Sequence, residues 1–254
     1  MTAAAATART PNRAPHIGLV ALEARAPWEH AAALAAWPLL GHAPRGDGHP
    51  VLVLPGLGAG DATTVLLRRY LARQGFAPQP WMLGLNFGPR DGLLQALRER
   101  IAALHREHDR TVSLVGWSLG GVYARELAKL ERAHVRCAVS LGSGFTGDLR
   151  ATHARGFYEF VSGERIGDHA LSGQLGVNPP LPTTSIYSRT DGVVAWPCSV
   201  LDEGPLAENI EVQSSHTGMG AHPAVLYALA DRLAQPEGGW QPFDKSGWRR
   251  LVYA

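Results

Sequence analysis

From Val51 onward, short apolar runs alternate with longer segments of helical periodicity, and this alternation constrains the fold more than any other feature of the sequence. The apolar runs lie at 51–54, 111–115, 135–141, 183–187 and 209–213. The helical patterns lie at 61–74, 90–108, 119–132 and 223–233. Such alternation is typical of a parallel sheet covered by helices on both faces. The sequence therefore predicts an α/β fold, with a further strand at 77–83 that Pro78 and Pro80 weaken.

The domain organisation follows from the length and from the segments outside this pattern. A chain of 254 residues is compatible with one α/β domain, which we expect to span 28–254 after a flexible lead-in at 1–27. A short helix is expected at 29–40, and Asp61 is expected to cap the helix at 61–74. Residues 142–182 show no strand pattern, so we expect a lid-like insertion there, with a helical segment at 150–161 that covers apolar surface.

Charge and composition exclude several classes of protein. The formal net charge is +2, and its 24 basic and 22 acidic residues are spread along the chain. We therefore expect no nucleic-acid partner, because no basic stripe is present. No apolar run reaches about 18 residues and the N-terminus lacks a secretory pattern, so we expect a cytoplasmic protein without membrane insertion. Cys137 and Cys198 lack the spacing of a disulfide scaffold or zinc site, and no metal or cofactor is expected.

The residues around Ser118 read LVGWSLGG and contain a G-x-S-x-G motif formed with Gly116 and Gly120. The bare motif is weak, because composition alone produces such matches. Its context is stronger, since the serine follows a predicted buried strand and precedes a predicted helix, as a nucleophile elbow requires. The two glycines permit close approach of strand and helix, and the helix N-terminus points its N–H groups above the serine.

A serine nucleophile needs a base, and the base needs a group that fixes its tautomer. Asp191 follows the strand at 183–187, and His216 follows the strand at 209–213. Together with Ser118 they lie beyond the carboxyl ends of predicted parallel strands, where an open α/β sheet places its site. Asp148 is the rival acid. His222 is the rival base, although its position before Pro223 favours capping of the last helix.

Acyl transfer also requires donors for the negative charge that develops on the carbonyl oxygen. We expect one donor to be the N–H of Leu119, the residue after the serine. The other is expected from Leu57 in the loop PGLGAGD, where Gly56 and Gly58 allow a tight backbone path. A dinucleotide-binding loop is the alternative, but the full G-x-G-x-x-G is absent.

The segments VLVLPGLGAGD, VSLVGWSLGG, IYSRTDGVV and SSHTGMGAHP, in this order, resemble the α/β-hydrolase superfamily, and more narrowly its bacterial lipase and esterase-like members. The resemblance covers residues 50–234. It implies Ser118 as nucleophile, Asp191 as acid, His216 as base, and Leu57 and Leu119 as oxyanion donors. It also implies the α/β-hydrolase fold, with a mostly parallel central sheet.

Two departures from the family pattern concern the substrate pocket. Pro55 stands where the family usually has a histidine before the oxyanion glycine, and the early antiparallel strands of larger members are missing from the pattern. The expected activity is hydrolysis of carboxylic esters, with a small ester or lipid-like substrate. Two alternatives stay open: an acyltransferase or perhydrolase that uses the same three residues, and a non-catalytic binding protein on the same fold.

Overall fold

The regular elements of the chain follow the predicted order. A computed structural model describes residues 13–146, 152 and 175–253. Its helices and strands are α1 (Ile17–Leu22), α2 (Ala26–Ala35), α3 (Trp37–Leu40), β1 (Pro50–Leu54), α4 (Val65–Arg73), β2 (Ala77–Pro80), α5 (Leu93–His108), β3 (Val112–Trp117), α6 (Leu119–Leu130), β4 (Val135–Leu141), β5 (Thr183–Tyr187), β6 (Ala207–Glu211) and α7 (Pro223–Leu233). Short 3₁₀ helices lie at Glu23–Arg25, Asp61–Thr64, Trp196–Ser199, Met219–Ala221 and Gly247–Leu251.

The strands of the described residues form one parallel sheet in the order β2-β1-β3-β4-β5-β6. The predicted α/β class and parallel sheet are confirmed. The strand predicted at 77–83 is shorter, and it pairs only with β1 at the sheet edge. An edge position tolerates Pro78 and Pro80, because a proline cannot donate to a ladder.

Helices cover both faces of this sheet, and the strands divide their side chains between them. On one face, Val51 and Val53 of β1 pack with residues of α4 and α7. On the other, Leu52 and Leu54 pack with residues of α5 and α6. Side chains that alternate between two apolar layers keep the strands buried on both sides, so the loops at the strand ends carry the accessible chemistry.

Asp61 differs from its predicted role as a helix cap. The residue at the cap position is Gly60, and the Asp61 carboxylate instead accepts hydrogen bonds from the N–H groups of Trp81 (3.0 Å) and Met82 (3.1 Å). Met82, the second donor, has a positive φ of 64°. Asp61 therefore ties the start of α4 to the loop after β2.

The N-terminal region also differs from the prediction of a flexible lead-in at 1–27. Residues 1–12 lie outside the described part of the chain, but α1 and the following 3₁₀ turn are helical. They are held against the loops after β5 and β6 by hydrogen bonds described below. The short helix predicted at 29–40 corresponds to α2 and α3.

The predicted insertion at 142–182 is described only at 142–146, 152 and 175–182. Asp148, and the segment at 150–161 apart from Thr152, lie outside the described residues. Thr152 forms an isolated bridge with Val194, and its hydroxyl donates to the carbonyl of Val193 at 3.0 Å. In the part of the chain that the structure describes, no helix has the length and apolar content needed to cross a membrane.

Candidate active site

Ser118 occupies a sharp turn between β3 and α6, so the predicted strand, serine and helix arrangement is confirmed. Its φ of 54° and ψ of −123° lie in a region that side chains rarely adopt. A Cβ atom on Gly116 would lie 2.1 Å from the carbonyl oxygen of Gly120, and one on Gly120 would lie 2.2 Å from that of Leu54. The glycines of the motif therefore allow the backbone contacts that hold the serine in this turn.

The structure brings Ser118, His216 and Asp191 into one hydrogen-bonded chain. Ser118 Oγ lies 3.0 Å from His216 Nε2, and His216 Nδ1 lies 2.7 Å from Asp191 Oδ2. The other oxygen of Asp191 accepts from the N–H groups of Val193 (2.8 Å) and Val194 (2.7 Å). With Nδ1–H donating to the carboxylate, Nε2 has a free lone pair for the serine proton.

The His216 imidazole is buried, with 6% of its surface exposed, and its pKa responds to two opposing influences. Burial alone would lower the pKa, because it disfavours the charged ring. The charge and hydrogen bond of Asp191, together with the charge of Glu23, outweigh burial and raise the pKa above its ordinary value. This environment stabilises imidazolium, which is the form that a general base reaches after it takes a proton.

The loop after β1 lies against the serine. A Cβ atom on Gly56 would lie 3.2 Å from Ser118 Cβ, so the next residue, Leu57, starts close to the serine side chain. Among the hydrogen bonds of the described residues, the N–H groups of Leu57 and Leu119 have no acceptor. Two unused donors on either side of a serine can bind a carbonyl oxygen.

Asn86 holds this loop in place, and sequence analysis missed it. Its buried side-chain amide donates to the carbonyl of Pro55 at 2.8 Å, and its backbone carbonyl accepts from the N–H of Gly58 at 2.7 Å. Its neighbours Leu85 and Phe87 are 51% and 44% exposed. An apolar surface therefore flanks the loop that carries Leu57.

Two uncharged residues also lie around the imidazole. Trp117 Nε1 donates to the carbonyl of His216 at 3.0 Å, so the residue before the serine anchors the histidine loop. Gly142 has a φ of 56°, and a Cβ there would lie 3.1 Å from Asp191 Oδ2 and 3.2 Å from His216 Nδ1. The glycine directly after β4 was a sequence signal for this close approach.

Glu23 and Glu29 were missed because they lie in or near the segment expected to be a lead-in. Glu23 contacts both the loop that carries Asp191 and the loop that carries His216, and Glu29 contacts the loop that carries His216. They are the only acidic residues before Asp47, and this isolation was the available sequence signal.

Of the two rival residues, Asp148 lies outside the described part of the chain and His222 has a structural role. His222 caps α7, as its position before Pro223 predicted, with Nδ1 accepting from the N–H of Ala224 at 3.3 Å. Two aromatic rings near the motifs have partners within the protein: Phe145 is buried beneath the guanidinium of Arg125, and the half-buried Trp196 stacks on Tyr187.

A second Ser, His and Asp set lies at the opposite end of the sheet. His49 Nδ1 is 2.6 Å from Asp47 Oδ1, and His49 Nε2 is 2.9 Å from Ser113 Oγ. The Cys137 thiol also donates to Ser113 at 3.2 Å. Burial lowers the pKa of His49 despite its hydrogen bond to Asp47. His49 and Ser113 are 1% and 0% exposed, so this set has no access for a substrate.

Within residues 13–146, 152 and 175–253, no group of three or more His, Cys, Asp or Glu side chains has an arrangement that could hold a metal ion.

Comparisons with known proteins give structural but not sequence matches. No protein-family model and no curated protein matches the chain. Lipase B of Aspergillus fumigatus is similar with a TM-score of 0.60 and 16% identity, over 76% of this chain and 54% of that one. An α/β superfamily hydrolase from Oenococcus oeni is similar with a TM-score of 0.53 and 17% identity, over 72% of this chain and 91% of that one. A monoacylglycerol lipase from Paleococcus ferrophilus is similar with a TM-score of 0.51 and 14% identity, over 73% of this chain and 96% of that one. This chain thus spans about half the length of the Aspergillus lipase.

Proposed function

Since the chain has the α/β-hydrolase fold, we propose that it is a serine hydrolase that cleaves carboxylic esters through an acyl intermediate on Ser118. The observation that carries the proposal is the hydrogen-bonded chain from Ser118 through His216 to Asp191. The fold alone does not select this function. The strained turn at Ser118 supports it, because such strain is kept where a side chain must be presented to a ligand.

In the proposed reaction, His216 Nε2 accepts the Ser118 proton while Oγ attacks the ester carbonyl carbon. The carbonyl oxygen gains negative charge and accepts hydrogen bonds from the N–H groups of Leu57 and Leu119. The imidazolium then donates its proton to the departing alcohol oxygen, which leaves an acyl-serine. Water, deprotonated by His216, attacks the acyl carbon, and the acid and free serine are released. Asp191 keeps its charge throughout and stabilises the imidazolium.

The substrate class proposed is a small or lipid-like ester with an apolar group. Leu85 and Phe87 support it, because their exposed side chains flank Asn86 beside the loop that carries Leu57. Large exposed apolar side chains beside a polar centre favour an apolar ligand group.

The test is hydrolysis of short-chain and long-chain p-nitrophenyl esters by the wild type and Ser118→Ala, with fluorophosphonate labelling of both. We expect turnover and a label on Ser118 in the wild type only. Equal turnover by folded Ser118→Ala would overturn the proposal. Product analysis with an added alcohol separates hydrolysis from acyl transfer, since transfer yields a new ester in place of the acid.

A further inference from the structure

The carboxylate of Glu23 binds both loops that carry the acid and the base. Its Oε1 accepts from the N–H groups of Gly192 and His216, each at 2.8 Å. Its Oε2 accepts from the N–H (2.9 Å) and hydroxyl (2.7 Å) of Thr217. Gly192 directly follows Asp191, so one side chain fixes the backbone next to Asp191 relative to the backbone of His216.

Glu29 makes a second connection, directly to the residue before His216 and, through Arg25, to the residue before Asp191. Its buried carboxylate accepts from the N–H (2.8 Å) and hydroxyl (2.5 Å) of Ser215, and from Arg25 Nε at 3.0 Å. Arg25 in turn donates to the hydroxyl of Thr190 at 2.6 Å. We call Glu23 and Glu29 the N-terminal clamp, because both come from the helical segment that precedes β1.

Two glycines make room for this segment. A Cβ atom on Gly192 would lie 2.3 Å from the backbone oxygen of Leu19 in α1, and one on Gly218 would lie 1.8 Å from Glu29 Oε2. Neither glycine has a positive φ. Glycine is therefore required at these two positions to leave space for the N-terminal helices, and not for its backbone freedom.

The clamp brings charge as well as geometry to the histidine. Burial would raise the pKa of Glu23, but the hydrogen bonds from Thr217, His216 and Gly192 outweigh it and lower that pKa. The side chain is therefore ionised at neutral pH. Charged groups reach His216 from two elements: Asp191 from the loop after β5, and Glu23 from the N-terminal segment. The neighbouring Trp117 carries no charge.

Resting on the proposed function, we propose that Glu23 is a positioning residue for the acid and base, holding His216 against Asp191. Four donors from two loops converge on its carboxylate. Loss of that carboxylate releases the histidine loop from the acid loop and removes one negative charge near the imidazole. Within the described part of the chain, Glu23 has no hydrogen bond to the loop of Leu57, where the proposed function places the ester carbonyl, so we expect substrate binding to be unchanged.

The test variant is Glu23→Gln, which keeps the shape but removes the charge and replaces one acceptor oxygen with a donor. We expect kcat for an ester to fall by about 10- to 100-fold with KM unchanged, because small misplacements of catalytic groups cost this much. The acidic limb of the kcat/KM profile should move to lower pH, since removal of a negative charge lowers the pKa of the base. Glu23→Asp, which retains the charge, should keep the limb near the wild-type position.

The matched control is Glu208→Gln. Glu208 is also a buried carboxylate with several donors, accepting from Thr184, Arg232 and the N–H of Phe243. Its loss should reduce stability without moving the pH limb. A folded Glu23→Gln protein with wild-type kcat and pH profile, or an equal shift in Glu208→Gln, would overturn the inference.

NMR titration of the His216 ring separates this inference from the proposed function. If the wild type neither hydrolyses esters nor takes the fluorophosphonate, the proposed function fails, yet the titration still reads the effect of Glu23. We expect a lower His216 pKa in Glu23→Gln than in the wild type. An unchanged titration counts against the inference even in an active enzyme.

Discussion

The two Ser, His and Asp sets of this protein have similar hydrogen bonds and different surroundings. Ser118 lies in a strained turn at the N-terminus of α6, and the N–H groups of Leu119 and of Leu57 in the neighbouring loop have no acceptor among the described residues. Ser113 lies within β3, where it faces Val51 on one neighbouring strand and Cys137 on the other. Three residues in hydrogen-bonding distance are thus insufficient for a catalytic site, because a nucleophile also needs access and stabilisation of the developing charge.

The pKa values of the two imidazoles shift in opposite directions. The pKa of His49 is lowered by burial, whereas Asp191 and Glu23 overcome burial and raise the pKa of His216. The charged neighbours of each ring explain this difference. Asp191 is 3% exposed, while the Asp47 side chain is 57% exposed and its charge is screened by solvent. The positive charges of Arg136 and Arg110 add to the effect of burial at His49, whereas Glu23 adds a negative charge near His216.

The sharpest way to break this comparison is to remove each serine hydroxyl. We expect Ser118→Ala to lower kcat for p-nitrophenyl esters on the order of 10⁶-fold, the scale seen when a serine hydrolase loses its nucleophile. Ser113→Ala should retain wild-type kcat. Loss of activity in Ser113→Ala with normal folding would transfer the catalytic role to the buried set.

The carboxylates give the next largest contrast. Asp191→Asn should lower kcat by about 10⁴-fold, because the amide favours the wrong imidazole tautomer and cannot stabilise imidazolium. Asp47→Asn serves as the matched change at the other end of the sheet and should leave kcat at the wild-type value. Steady-state kinetics of both variants at one pH decide between the two sets, and equal losses would contradict the comparison.

The backbone strain predicts stability effects of opposite sign. At position 118, glycine should be more stable than alanine by about 1 kcal/mol, because glycine adopts the observed positive φ without strain. At position 113, glycine should be less stable than alanine by roughly 0.5–1 kcal/mol, the usual cost within a strand. Urea denaturation of the four variants measures both differences. If alanine were more stable than glycine at position 118, as is expected at position 113, the turn at Ser118 would not be strained.

The smallest effects concern stability against pH. His216 has a raised pKa when folded, so its contribution is present below the unfolded pKa of about 6.5 and is lost as pH rises through the folded value. His49 has a lowered pKa, so protonation of the unfolded state makes stability fall as pH drops below about 6.5. Subtracting the unfolding free energies of His49→Gln and His216→Gln from the wild type should give slopes of opposite sign. Matching slopes would mean that the two rings share one environment.

Most of the sheet could be predicted from sequence because each strand is a continuous apolar run buried on both faces. The strands β4 and β5 and the helix α7 have their predicted bounds. The turn at Ser118 was also predictable, since it depends on local residues such as Gly116 and Gly120. The placement of Asp191 and His216 followed from one rule, that the carboxyl ends of parallel strands meet at one edge.

The errors share a physical cause, which is hydrogen bonding between residues far apart in sequence. Asp61 was expected to cap its own helix, but two N–H groups after β2 bind its carboxylate. The segment with Glu23 was expected to be flexible, because its partners lie in the distant loops near Asp191 and His216 and leave no local sequence pattern. Local propensity does not include hydrogen bonds to donors that are distant in the sequence. The catalytic roles of Ser118, Asp191 and His216, the donors Leu57 and Leu119, and the lid remain predictions.

The N-terminal clamp has a consequence for the order in which the molecule matures. Glu23 is 169 residues from Gly192 and 193 residues from His216, so it leaves the ribosome long before its partners. Contacts of such long range form late, because closure of a long loop is entropically costly. A growing chain therefore carries the turn with Ser118 before it has a positioned base. A covalent probe for an activated serine would consequently report completed folding, and would not label the nascent polypeptide.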